Sequence, residues 1–135
     1  MFRTSPLCLV LLTSALALFA LAPSARAADF CVDSADALQT ALTSATTNGR
    51  ADRLLLVQGT YTGPFVYTSS ERMALDVLGG YVAGCASRTL DAANTQLIGS
   101  GTGRVLAVTT TNGGAFTLEG VTISGGIFTG DGGGL

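Results

Sequence analysis

Short segments in which apolar and polar residues alternate recur along the chain and predict β-strands. Four of these segments end at a glycine, and the four glycines, Gly59, Gly79, Gly99 and Gly120, recur at a nearly constant interval. The position two before each glycine is always aliphatic, whereas the position three before it is polar in three of the four segments. Because side chains alternate between the two faces of a strand, this pattern predicts strands with one inward face, repeated about every 20 residues.

Further apolar segments at 65–67, 105–108 and 121–123 predict second strands, separated from the first by glycine-rich corners. The repeat is too short for a propeller blade, lacks the helices of ankyrin or TPR units, and lacks the leucine spacing of a leucine-rich repeat. The sequence therefore predicts an all-β fold, a right-handed parallel β-helix, which is a solenoid with about 20–21 residues per coil.

The segment from Ser34 to Asn48 has helical rather than strand periodicity. Its apolar residues recur at helical spacing, and Ser34 with the neighbouring acids supplies an N-cap and an acidic first turn. Asn48-Gly49 is a typical helix stop. We expect an N-terminal capping α-helix that covers the open end of the solenoid. A helix that binds a partner is the alternative.

The segment 1–27 resembles a secretory signal peptide. A short positive start that includes Arg3 precedes an apolar run at 7–21, and Ala25-Arg26-Ala27 fits the small-residue cleavage pattern. The alternative, a membrane anchor, needs roughly 20 apolar residues rather than the about 15 present. We expect cleavage between Ala27 and Ala28, which divides the chain into a signal peptide (1–27), an N-terminal cap with the amphipathic helix (28–52) and β-helix coils truncated at the C-terminus (53–135).

Charge and cysteine content narrow the compartment and the chemistry. Beyond residue 27 the chain has five Arg, nine Asp plus Glu, and neither Lys nor His. This acidic balance argues against nucleic acid and anionic membranes as partners. The absence of histidine removes histidine triads and histidine metal sites. Cys31 and Cys85 remain after cleavage, and we expect them to form a disulfide in an oxidising compartment.

At this point several motifs resemble the bacterial pectin-lyase-like β-helix proteins. They are Ala37-Leu38-Gln39, the run at 54–57, Gly79-Gly80-Tyr81, the segment at 118–123 and Gly132-Gly133-Gly134-Leu135. The resemblance covers residues 30–135 and implies the fold more than the activity, because that superfamily includes polysaccharide lyases, hydrolases, adhesins and autotransporter passengers. It also implies a further coil after Leu135, so we expect this chain to be an N-terminal fragment of a longer protein.

Three kinds of site come into question. The resemblance implies aspartate-bound calcium and an arginine base for a lyase, but the acids Asp76, Asp91, Glu119 and Asp131 are scattered. A glycoside hydrolase needs two carboxylates about 5 to 9.5 Å apart, and Glu119 with Asp131 is the pair worth testing. The segment 126–134 resembles one unit of a calcium-binding nonapeptide, although a structural corner explains it better. We therefore predict no catalytic residue, cofactor or metal site in this segment.

A binding role accounts for more of the sequence. Thr and Ser occupy many predicted outward positions, and Tyr61, Tyr67 and Tyr81 are candidates to stack on sugar rings, with packing beneath the helix as the alternative. We expect a secreted or cell-surface protein with a structural or adhesion role, which includes binding to polysaccharides or cell-surface glycans. The N-terminal part of a polysaccharide lyase or glycoside hydrolase is the alternative.

Overall fold

The computed structural model describes residues 27–127, which form one α-helix and nine short strands. The predicted signal peptide and the glycine-rich segment at 128–135, including Asp131, lie outside the described residues. The helix is α1 (Ala35–Ser44), and the strands are β1 (Ala28–Val32), β2 (Asp52–Val57), β3 (Gly59–Thr62), β4 (Phe65–Ser69), β5 (Leu75–Tyr81), β6 (Thr95–Ile98), β7 (Leu106–Thr110), β8 (Phe116–Glu119) and β9 (Thr122–Ser124).

The strands pair in parallel and form three separate sheets. Sheet 1 has the order β1-β2-β5-β8, sheet 2 has the order β3-β6-β9, and sheet 3 pairs β4 with β7. The chain visits the sheets in turn, and two 3₁₀ turns, at Ala83–Cys85 and Ala92–Asn94, lie between β5 and β6.

The fold-class prediction is wrong. A uniform parallel β-helix with the predicted coil length requires a constant offset between paired strands. Instead, Asp52 pairs with Leu75, 23 positions later, and Leu75 pairs with Phe116, 41 positions later. In sheet 2, Gln96 pairs with Thr122, 26 positions later. The described chain therefore contains three small parallel sheets and one helix rather than the predicted regular solenoid.

The even spacing of the four glycines does not reflect a regular coil, because the glycines lie in or beside two different sheets. A Cβ on Gly79 would collide with the Gly120 carbonyl oxygen in sheet 1, whereas a Cβ on Gly99 would collide with the Gly125 carbonyl oxygen next to sheet 2. The segment before Gly99 is β6 of sheet 2, whereas the segments before Gly79 and Gly120 belong to β5 and β8 of sheet 1. Equal spacing along the sequence therefore did not mean the same position in space.

The helix begins where its local signals predict. Ser34 is the N-cap, and its hydroxyl accepts a hydrogen bond from the Ala37 N–H at 3.3 Å. Its apolar stripe is buried against the strands, with Leu38 and Leu42 each 1% exposed. The helix is a short segment of ten residues, so its stability comes from this packing more than from intrinsic helix propensity.

The inward rows of the three sheets form one core. In sheet 1 the register places Phe30, Leu54, Val77 and Leu118 side by side, and buried residues from sheets 2 and 3 complete the cluster. The interior members include Tyr61, Phe65, Tyr67, Leu97, Val105 and Leu106. Burial of these side chains fixes which face of each strand is exposed, and it thereby positions the candidate site.

Candidate functional site

The exposed side of sheet 2 carries mainly hydroxyl and amide groups, together with the half-buried Ile98, and we call it the hydroxyl face. The register of β3, β6 and β9 forms two outward rows across this face. The first row is Thr60, Gln96 and Thr122, and all three residues are exposed. The second row is Thr62, Ile98 and Ser124. Neighbouring strands of such a sheet are about 4.8 Å apart, so the first row presents hydrogen-bonding groups at a regular spacing.

The 3₁₀ turn at Ala92–Asn94 holds two groups of the first row in place. The Thr122 hydroxyl donates to the Ala92 carbonyl oxygen at 2.9 Å, and the Gln96 side-chain amide donates to the Ala93 carbonyl oxygen at 3.2 Å. Asp91 is the N-cap of this turn and accepts from the Ala93 N–H at 2.9 Å. The turn thus accepts hydrogen bonds from the side-chain donors of Gln96 and Thr122. The side-chain carbonyl oxygen of Gln96 and the hydroxyl oxygen of Thr122 can still accept hydrogen bonds.

The outer side of sheet 1 is covered over part of its surface by the chain after β5. Leu55, Leu78 and Tyr81 form a second small apolar cluster there, and Cys85 packs against it. Cys31 and Cys85 form the predicted disulfide, with their Cα atoms 5.8 Å apart. The disulfide therefore attaches β1 to the segment that follows β5.

An arginine fastens the same segment to β8. The Arg88 guanidinium donates to the Gly79 carbonyl oxygen at 2.7 Å and to a Glu119 carboxylate oxygen at 3.0 Å, and it lies 5.6 Å from the centre of the Tyr81 ring. These contacts engage Glu119, one of the acids considered for catalysis, in a structural ion pair. Asp76 lies on the outward row of sheet 1, opposite Arg53.

The acidic candidates do not converge in the described chain. Within residues 27–127, no group of three or more His, Cys, Asp or Glu side chains is placed to hold a metal ion. Asp91 is occupied as a turn cap, whereas Asp131 and most of the 126–134 segment lie outside the described residues. The carboxylate pair Glu119 and Asp131 therefore has no described geometry.

The tyrosine prediction is wrong. Tyr61, Tyr67 and Tyr81 are only 2%, 3% and 8% exposed, so they cannot present ring faces to a sugar. The Tyr61 oxygen lies 2.9 Å from the Val32 carbonyl oxygen and 2.7 Å from that of Val57. Burial, together with the negative charge of Asp33, raises the pKa of Tyr61 to about 12. The alternative of packing beneath the helix suits Tyr61 and Tyr67, which share a core with Leu38 and Leu42. It does not suit Tyr81, which lies in the separate cluster with Leu55 and Leu78.

A groove of about 420 Å³ lies between β1 and α1. Its strand side includes Phe30 and the disulfide-bonded Cys31, and its helix side consists of small residues such as Ala37 and Ala41. Asp29, at the same groove, forms an ion pair with Arg53 at 3.5 Å. Both partners are substantially exposed, so this pair contributes at most about 1 kcal/mol.

The sequence did not predict two structural features. Gln39 donates to the Val66 carbonyl oxygen at 3.0 Å and accepts from the Val66 N–H at 2.9 Å, so its side-chain amide pairs with β4 as a neighbouring strand would. Asp52 is buried in the inward row of β2 at 2% exposure. The alternation before Gly59 predicts that Leu55 and Val57 point inward, but the structure buries Leu54 and Leu56 in the core, so the pattern assigned the wrong face to Asp52. No local signal pointed to the Gln39 contact.

No protein-family model, curated protein or solved structure matches the chain. The resemblance to pectin-lyase-like proteins therefore stays a prediction. Within residues 27–127, no helix is long and apolar enough to span a membrane. The disulfide fits an extracellular protein.

Proposed function

We propose that this chain is an exported, secreted or cell-surface protein with a structural and adhesion role, and that it binds polysaccharide through the hydroxyl face. The observation that carries the proposal is the in-register row of Thr60, Gln96 and Thr122, which repeats hydrogen-bonding groups across three adjacent strands. A polysaccharide also repeats its hydroxyl groups along one direction, so it suits a surface of this kind. The Cys31–Cys85 disulfide supports the extracellular location.

Hydrogen bonding is the recognition mode that the described surface supports. The tyrosines are buried, and the hydroxyl face contains neutral polar groups instead. Each hydrogen bond in water adds only about 0.5–1.5 kcal/mol net. Affinity would then depend on several contacts made together along a polymer, which is typical of adhesion. Among residues 27–127, no observation favours the alternative of a lyase or hydrolase.

Binding can be tested by retention of the purified protein on insoluble polysaccharides, with pectate, cellulose and peptidoglycan as the probes. The test variant is Thr60→Ala/Gln96→Ala/Thr122→Ala. The matched control is Thr68→Ala/Thr109→Ala, because those residues form an exposed threonine pair in register on sheet 3. Each lost hydrogen bond should weaken binding roughly 2- to 13-fold, the factor that corresponds to about 0.5–1.5 kcal/mol.

Retention that the hydroxyl-face variant loses and the sheet 3 control keeps would support the proposal. Retention of neither the original protein nor the control on any of the three polymers would contradict it, as would equal losses in both variants. Circular dichroism of each variant must show an unchanged fold, because Gln96 and Thr122 also bond to the turn at Ala92–Asn94.

Export is tested separately by fractionation of producing cells. The expected result is protein in the medium or on the cell surface with Ala28 as its first residue. An uncleaved chain confined to the cytoplasm would refute the proposed location.

A further inference from the structure

Asp52 is a charged side chain in the core row of sheet 1. It is the first residue of β2 and lies in register with Ala28 of β1 and Leu75 of β5. One carboxylate oxygen, Oδ2, accepts from the Asn48 side-chain amide at 2.8 Å. The other, Oδ1, is buried and has no hydrogen-bond partner among the described residues. A buried carboxylate that is not fully paired is costly, so its retention at this position calls for a partner.

The groups around Asp52 do not neutralise it. Burial raises its pKa above the ordinary value, and the negative charge of Glu71 raises it further. The hydrogen bond from the Asn48 amide lowers the pKa more than the Glu71 charge raises it, and the Arg50 charge and the Ala28 N–H lower it by smaller effects, but burial has the largest effect. Glu71 is itself engaged, because both of its carboxylate oxygens accept from the Gly49 N–H at 3.0 and 3.1 Å.

Ala28 is the register partner of Asp52, and its backbone N–H is close enough to the carboxyl group to lower its pKa. In the unprocessed chain the Ala28 nitrogen is an amide with a single N–H, and that hydrogen is donated to the Ala51 carbonyl oxygen at 3.1 Å. Ala28 is also the residue that follows the predicted cleavage point. Hydrolysis of the Ala27–Ala28 peptide bond consumes one water molecule, leaves a carboxylate on Ala27 and converts the Ala28 nitrogen to an ammonium group at neutral pH.

We propose that removal of the leader creates an ion pair, in which the new α-ammonium group of the half-buried Ala28 becomes the partner of the buried Asp52. The ammonium group has three N–H bonds, so it can retain the bond to the Ala51 carbonyl oxygen and donate another hydrogen to Asp52 Oδ1. Processing thereby adds a contact between the first residues of β1 and β2. This contact stabilises the exported form relative to its precursor. This inference rests on the proposed export and on cleavage at Ala27–Ala28.

The pH dependence changes sign between the two forms. In the precursor, the raised Asp52 pKa means that the folded chain binds this proton more tightly than the unfolded chain does. That contribution is present below the ordinary carboxyl pKa and is lost as the pH rises through the raised value. In the processed chain, the ammonium group lowers the Asp52 pKa. Its stabilisation is then present above the ordinary carboxyl pKa and is lost as the pH falls through the lowered value.

A double-mutant cycle tests the pair on purified protein. One chain begins at Ala28, and the other begins at Ala25, which keeps the natural residues but moves the ammonium group away from β1. Asp52→Asn is introduced into both, and urea unfolding is measured at pH 7. We expect Asp52→Asn to increase the unfolding equilibrium constant about ten-fold or more in the Ala28 chain, and to leave it unchanged or reduce it in the Ala25 chain.

Asp36→Asn is the matched control, because Asp36 is an exposed acid in the first turn of α1. Its effect should be the same in both chains. Equal effects of Asp52→Asn in both chains would overturn the proposal, as would an exported protein that begins at a residue other than Ala28. Since the cycle requires no polysaccharide, its result is separate from the test of adhesion.

A second measurement remains informative if Asp52→Asn fails to fold. The pKa of the α-ammonium group is measured by NMR in the Ala28 and Ala25 chains with Asp52 intact. A pKa raised by at least one unit in the Ala28 chain relative to the Ala25 chain is expected for the ion pair. An equal pKa in the two chains would refute it.

Discussion

Reduction of the Cys31–Cys85 disulfide should destabilise the protein strongly. The bond closes a loop with a sequence separation of 54 residues. The chain-entropy relation for a loop of this length gives about 4 kcal/mol at 25 °C, as a stabilisation that acts by restricting the unfolded chain. The same loss corresponds to a fall in Tm of roughly 15–30 °C for a domain of about 100 residues.

The position of the disulfide explains why its loss should also be local. Cys31 lies on β1, which among residues 27–127 is an edge strand of sheet 1 and pairs with β2. Cys85 lies in the 3₁₀ turn after β5, and it packs over Leu55 and Leu78. Without the bond, the covering turn is held by the contacts of Arg88 and by this small apolar cluster. We expect hydrogen exchange at β1 and at 82–94 to increase first.

Urea unfolding, followed by circular dichroism with and without reductant, measures the effect. The control is Cys31→Ser/Cys85→Ser in a chain that begins at Ala28, which should be as unstable as the reduced protein and insensitive to reductant. A difference below about 1 kcal/mol between the oxidised and reduced protein would refute the loop-closure reasoning. An equal shift caused by reductant in the double-serine control would show that the reductant acts elsewhere.

Gln39→Leu should cost about 1–3 kcal/mol, because it removes both bonds to the Val66 backbone and exposes that edge of β4; Thr40→Leu on the same helix should stay within about 0.5 kcal/mol, and similar values for the two would contradict the edge-pairing role. Gly99→Ala should cost more than about 2 kcal/mol because its Cβ would collide with the Gly125 carbonyl oxygen. Urea unfolding checks both predictions, with Ser100→Ala as the control for the second, and a Gly99→Ala variant as stable as that control would disprove the close approach.

Features set by neighbouring residues could be predicted from the sequence. The helix has its N-cap at Ser34 and buries Leu38 and Leu42, since capping and helical periodicity depend on residues a few positions apart. The strand predicted at 65–67 lies within β4, and the strand predicted at 121–123 overlaps β9 with a difference of one residue at each end. The disulfide could be predicted because the chain has two cysteines after the leader, so each had a single available partner.

The hydroxyl face could be predicted only in part. Alternation indicates that Thr60 and Thr62 point away from Tyr61, but it does not indicate which strands adjoin them. The segment at 82–94 lies between β5 and β6, so β6 and every later strand occur further along the sequence than a constant repeat would place them. The pairing of β3 with β6 therefore does not follow from a constant repeat length. The predicted repeat of about 20 residues has no place for that segment. The prediction therefore assigned β6 to the wrong sheet.

The sequence by itself determined the helix, the inward positions of β5, β6 and β8, and the cysteine pair, because each depends on nearby residues or on a single available partner. Tertiary structure alone decided the three-sheet arrangement, the burial of the tyrosines and the juxtaposition of Asp52 with Ala28. The physical reason is that parallel pairing joins residues 23 to 41 positions apart, as in Asp52 with Leu75 and Leu75 with Phe116. Such pairing is selected by the packing of the whole core, which no short stretch of sequence contains.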